Sequence, residues 1–200
     1  MVESIQIPSF DGTLIPIQII HQKYNEEKMH PAFIQAYGGF NLSAYLFSYS
    51  KRSLLTMMPF LSRGGMIVNT GVRGGNEFGK KWNLSAKKEK KGKTFEDVAS
   101  VAKYLIEKNL SKKDWITLFG SSNGGYVTAA TGLIYPQYFG AIIPHAGVLD
   151  QLGKESMDFR FKGWANEYLS ESKPEEAALI PALSPVEVAK KDPHLDASLS

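Results

Sequence analysis

The chain contains no cysteine, which removes disulfides, thiolate metal sites and a cysteine nucleophile together. Histidine is scarce as well. His21, His30, His145 and His194 lie far apart, without the short spacings that gather ligands around a metal, so neither a metal nor a cofactor is expected. No basic segment followed by an apolar stretch opens the chain, where Glu3 and Asp11 stand instead; a signal peptide is therefore not read there, and the cytoplasm is the default location. The Asn-Leu-Ser sequons starting at Asn41, Asn83 and Asn109 carry no weight on that reading. Long apolar runs are missing too. The charge-free stretch 115–149 is interrupted by Gly120, Gly124, Gly125 and Pro136, and no run of ~18 apolar residues survives to cross a membrane. The net charge of +3 is small, and much of it sits in Lys87-Lys88-Glu89-Lys90-Lys91-Gly92-Lys93. With no aromatic residues interleaved, that run reads as a solvated loop, and neither nucleic acid nor membrane is expected as a partner.

What is present suffices for one packed domain: 200 residues, 43% of them hydrophobic and 12% aromatic. Isoleucines alternate at Ile5 and Ile7 and again at Ile15, Ile17 and Ile19, and a third apolar run covers 32–36, which predicts an antiparallel start. A helix is expected over 50–62 and a buried strand over 65–69. Thr94 reads as an N-cap with Asp97 three residues on, and Val98, Val101, Ala102 and Leu105 follow at helical spacing to about Asn109. A strand over 115–119, a helix to about Tyr135 stopped by Pro136, and a strand over 140–143 complete the pattern. Alternation of this kind predicts a mostly parallel sheet covered on both faces, with ligands at the carboxyl ends of its strands. Tyr37, Ser122 and the segment after His145 then share one rim. Beyond Asp150 the chain turns polar, and no further strand is expected.

Between the 115–119 run and the following helix stands Gly120-Ser121-Ser122-Asn123-Gly124, a G-x-S-x-G pentapeptide. The pattern alone is common enough to be weak, but its place between strand and helix makes it a candidate nucleophile elbow. Such a bend puts Ser122 at positive φ and leaves no room for Cβ atoms on its inner side, which accounts for the glycines. Acyl transfer by Ser122 needs oxyanion donors. The backbone N–H of Asn123 is one, and the Tyr37 hydroxyl in Tyr37-Gly38-Gly39-Phe40 can supply the second, where lipases place a His-Gly-Gly-type motif.

Several segments in collinear order resemble the catalytic domain of the prolyl oligopeptidase family of serine peptidases. They are Tyr37-Gly38-Gly39-Phe40, Arg73-Gly74-Gly75-Asn76-Glu77-Phe78-Gly79, Phe95-Glu96-Asp97, Gly120-Ser121-Ser122-Asn123-Gly124-Gly125 and Ala146-Gly147-Val148-Leu149-Asp150. The resemblance spans roughly residues 3 to 188. It implies an α/β fold, an α/β-hydrolase-type three-layer sandwich, here as a single partial domain over 1–200 that lacks the last strands and carries no propeller. It also implies that Ser122 is the nucleophile, that Tyr37 and Asn123 form the oxyanion hole, and that Trp164 and Tyr168 flank a proline pocket lined by Val148, with Phe40 near the substrate. Short proline-containing peptides would be the substrates, cleaved after proline through a serine acyl-enzyme. Ser121 stands where the family usually has Gly, and Asn76 and Phe78 replace its more usual Gly and Tyr.

The fold's chain order is serine, acid, histidine, and the sequence reaches Ser200 before either partner is expected. The 200 residues alone are accordingly expected to be inert, as a fragment that a complementary chain bearing the last strands could rescue. His194 and Asp196 come in the wrong order and read as a solvated terminus; His145 reads as a hydrogen-bonded strand end. Arg73 and Glu77 read either as substrate-binding charges or as a loop's own ion pair. Trp164, taken without the resemblance, reads as packing under the sheet. Two other functions compete: an esterase or lipase on the same fold, and a non-catalytic binding or decoy module.

Overall fold

Alternate isoleucines build the first two strands. β1 (Val2–Pro8) and β2 (Leu14–Ile20) pair antiparallel, with Ile5 opposite Ile17 and Ile7 opposite Ile15, so that Ile7, Ile15, Ile17 and Ile19 all enter the core. The computed structural model describes residues 1–22, 29–43, 45, 51–152, 164 and 166–191; the His194 and Asp196 pair lies outside them. β3 (Ala32–Gln35), β4 (Met66–Thr70), β5 (Ile116–Ser121) and β6 (Ala141–His145) complete one described sheet in the order β1-β2-β4-β3-β5-β6. β2 meets β4 antiparallel, whereas β4, β3, β5 and β6 run parallel. The expected mostly parallel α/β sheet is therefore what the chain forms. All five residues of β4 are buried, as a strand covered on both faces requires.

The helices among the described residues are α1 (Lys51–Ser62), α2 (Lys80–Leu84), α3 (Gly92–Glu107), α4 (Asn123–Ile134), α5 (Pro174–Ala177), α6 (Ile180–Leu183) and α7 (Pro185–Ala189). α3 turns Phe95, Val98, Val101, Ala102 and Leu105 into the same core as the sheet isoleucines, and it packs against α4. α4 is apolar nearly all round, with ten consecutive buried residues from Asn123 to Gly132. Its burial against β5 and β6 explains the absence of charge there.

Two expectations fail at the start of α3. Thr94 is not the N-cap: the helix begins at Gly92, and the buried Thr94 hydroxyl donates to the Arg73 carbonyl at 2.9 Å. Asp97 takes the Arg73 guanidinium and the Ser9 hydroxyl instead of closing a capping box. A buried guanidinium without a counter-charge costs several kcal/mol, against about 1 kcal/mol for a cap, so the ion pair decides the geometry. Nor is the lysine run a solvated loop. Lys88–Lys90 form a 3-10 turn leading into α3, and Lys91 is only 2% exposed.

Candidate active site

β5 ends at Ser121 and α4 begins at Asn123, which leaves Ser122 alone in the bend at φ 57, ψ −121 and exposed to solvent. The steric reading of the glycines is borne out. A Cβ on either Gly120 or Gly124 would drive into the Ala36 carbonyl, and one on Gly125 would meet the His145 carbonyl and Gly147. The elbow thus lies directly on the backbone ends of β3 and β6, with no side chain between to yield. Ser122 N–H donates to the His145 carbonyl at 3.0 Å, and the Ser122 carbonyl accepts from Tyr126 N–H at 3.2 Å. Among the described residues the Ser122 hydroxyl has no hydrogen-bond partner.

Asn123 does more than the sequence suggests. Its buried side chain donates from Nδ2 to the Tyr37 carbonyl at 2.6 Å and accepts the Tyr168 hydroxyl on Oδ1 at 3.0 Å. One amide thereby fixes the loop after β3 and the Tyr168 segment against the elbow. As the first residue of α4, Asn123 has a backbone N–H with no acceptor in the preceding turn, at the positive end of the helix dipole.

The loop carrying Tyr37 is folded through left-handed backbone at Gly38 (φ 58) and Phe40 (φ 55). A Cβ on Gly38 would collide with Thr94 and Val72. The loop is held from below by Lys91, whose Nζ donates to the Gly38 carbonyl at 2.7 Å and to Glu167 Oε1 at 2.9 Å. Glu167 in turn accepts the Phe40 N–H on Oε2 at 3.0 Å. Both charged side chains are 2% exposed. Burial pushes the Lys91 ammonium below its usual range against the opposing pull of Glu167. Tyr37 is half-buried, and burial together with the nearby Glu167 charge pushes its phenol up, so it keeps its proton at neutral pH.

Tyr168 is buried, and three rings meet it edge-on: Phe40 at 5.8 Å, Tyr126 at 5.6 Å and Trp164 at 6.4 Å between centroids. Trp164 is half-buried and also packs against the core. Val148 lies half-buried on the segment after β6, its carbonyl accepting from Gln151 Nε2 at 2.6 Å. Direct contacts therefore join Tyr37, Asn123, Phe40, Tyr168 and Trp164. Ser122 belongs to this set through its peptide link to Asn123, and Val148 through its place after the neighbouring strand β6.

Of the two readings of Arg73, the structure supports neither. Its guanidinium pairs with Asp97 at 2.5 Å and Asp11 at 2.7 Å rather than with Glu77, so it ties the β1–β2 turn to α3. His145 is the hydrogen-bonded strand end expected of it, and its Nδ1 also lies 3.0 Å from Ser121 Oγ. Asn123's amide and the Lys91–Glu167 pair are the parts of the site that sequence reasoning missed. Their partners lie 45 to 127 residues away along the chain, and no local pattern marks them.

The sequence and the fold have counterparts among known proteins. The sequence profile of the prolyl oligopeptidase family matches residues 50–195. The dual function macrocyclase-peptidase POPB of Amanita bisporigera is 32% identical over 98% of this chain and 27% of its own length. A prolyl endopeptidase of Elizabethkingia miricola is 32% identical over 94% of this chain and 26% of its own. Among solved structures, prolyl oligopeptidase B from Galerina marginata superposes with a TM-score of 0.84 at 32% identity, over 94% of this chain and 26% of that one. A post-proline cleaving enzyme from Rickettsia typhi gives 0.80 at 27% identity, over 94% and 26%. The chain spans about a quarter of the length of the relatives it matches. With the fold, the order of its motifs and the matched profile in agreement, the chain belongs to the prolyl oligopeptidase family.

Proposed function

We propose that the chain forms the nucleophile-bearing part of a serine peptidase that cleaves short peptides after proline. The observation that carries this reading is Ser122, exposed at φ 57 on a bend whose next residue is bonded to both Tyr37 and Tyr168. In the proposed reaction Ser122 Oγ attacks the carbonyl carbon of the proline residue itself. The developing oxyanion accepts from the Tyr37 hydroxyl and the Asn123 backbone N–H, the amine leaves, and water releases the acyl group from Ser122. Phe40, Val148, Trp164 and Tyr168 bound the pocket for the proline ring, which is flat and apolar and packs well on aromatic faces.

The base that takes the Ser122 proton comes, on this proposal, from outside the described residues, either further along the polypeptide or on a complementary chain. Loss of the histidine from a triad of this kind costs on the order of 10⁶ in kcat, so the 200 residues alone should turn over peptides very slowly. Fluorophosphonate labelling with site mapping by mass spectrometry tests the reading. An adduct is expected on Ser122, formed over hours, and a Gly-Pro anilide should compete with it at least tenfold better than its Gly-Ala counterpart. Failure to find an adduct at position 122 overturns the peptidase reading. Equal competition by the two anilides removes the proline pocket and leaves a general acyl hydrolase.

A further inference from the structure

Ser121 and His145 are directly paired residues of the parallel strands β5 and β6, so their side chains leave the same face of the sheet. The register brings Ser121 Oγ and His145 Nδ1 to 3.0 Å. Neither side chain is used by the elbow, which takes only the His145 carbonyl, as acceptor for Ser122 N–H. His145 is exposed and Ser121 half-exposed, at the carboxyl rim of the sheet, the end at which ligands of such sheets bind. A hydroxyl within hydrogen-bond reach of an imidazole nitrogen is the minimal unit of an activated oxygen nucleophile.

We propose that Ser121 and His145 form a second acyl-accepting site beside Ser122, one that takes small activated esters. With its own proton on Nε2, His145 accepts the Ser121 proton on Nδ1 as Ser121 Oγ bonds to the ester carbonyl carbon. The bond from that carbon to the phenolic oxygen breaks, the phenolate leaves with the electron pair, and the imidazolium returns its extra proton to solvent. One feature limits the site. The backbone N–H that follows this nucleophile belongs to Ser122 and already donates to the His145 carbonyl, so it cannot serve an oxyanion. The site therefore accepts an acyl group from a good leaving group but does not open peptide bonds, and the acyl group stays on Ser121. The proposal stands independently of any role for Ser122.

The test is acetylation of the full 200-residue chain by p-nitrophenyl acetate, with adducts mapped residue by residue. In Ser122→Ala the acetyl group is expected on Ser121. Adding His145→Gln should slow that acetylation by on the order of 10²-fold, the usual worth of a positioned general base. Both substitutions are at solvent-facing side chains, and unchanged far-UV circular dichroism would show that the fold is retained. No acetyl at Ser121, an acetylation rate indifferent to His145→Gln, or acetyl on the His145 ring alone would each overturn the proposal. Because positions 121 and 122 are scored separately, failure here is distinct from failure of the Ser122 reading.

Discussion

At the scale of single residues, the elbow is a problem of backbone contact. Gly124 sits in α4, where alanine would ordinarily favour the helix, yet its Cβ would enter the Ala36 carbonyl at the end of β3. Gly124→Ala should therefore destabilise by about 3 kcal/mol, as overpacking against an immovable group does, measured as a fall in the urea midpoint at constant slope. The same steric demand is why Ser122 was legible in the sequence. A bend this tight restricts its own neighbours to glycine, and the restriction is written in consecutive letters. Asn123 was only half legible. Its backbone N–H follows from its position after the serine, but its amide contacts, with Tyr37 and Tyr168, exist only once three distant segments have come together.

Between elements, burial of charge does the joining. Lys91 on the approach to α3, Glu167 beside Tyr168 and the loop 37–40 are held by one buried ion pair and two bonds to the loop backbone. Lys91→Met leaves Glu167 buried without its counter-charge and should cost about 3–5 kcal/mol. The Lys91→Met, Glu167→Gln double variant should lose clearly less than the sum of its single variants, a coupling that a double-mutant cycle in urea measures directly. Composition alone had marked this lysine as solvated, because six of seven residues from 87 to 93 are charged and nothing local distinguishes the one that turns inward. The strands and long helices were easier to read, since period-two and period-3.6 patterns arise within the element itself. The first turn of α3 was not, because a tertiary ion pair overrode the local capping signal there.

A second junction titrates. Burial acts to raise Glu176, but the Ser170 N–H and the ammonium groups of Lys173 and Lys88 overcome it and hold the carboxyl at about 2, against an ordinary 4.5. A carboxylate depressed in the folded state contributes fully above its unfolded pKa, and the contribution disappears as pH falls through the folded one. Glu176→Gln should accordingly cost about 1 kcal/mol at pH 7, where solvent screens part of the interaction, and only a small fraction of that by pH 2, where the folded carboxyl is half protonated. Urea unfolding of both proteins across that range is the measurement.

Across the whole molecule, the described sheet runs from the β1–β2 hairpin to β6 at the opposite edge, and Ser122 stands close to that edge. Pro144 brings no N–H to β6, and because the neighbouring His145 carbonyl faces β5, Pro144 faces outward. That blunts strand-to-strand pairing, while Ile143 leaves an apolar side chain 45% exposed on the same strand. Self-association of the 200-residue chain should therefore run through the Ile143 face. Ile143→Lys is expected to raise the concentration at which oligomers appear by roughly tenfold, or about 1.4 kcal/mol of association free energy, read by light scattering. A separate consequence follows from the inward-turned lysine beneath the Tyr37 loop. An amine-reactive tag finds the surface lysines at once but meets Lys91 only while the loop and the Glu167 segment have parted. The rate at which that one position is tagged is thus a clock for how often the floor of the site opens.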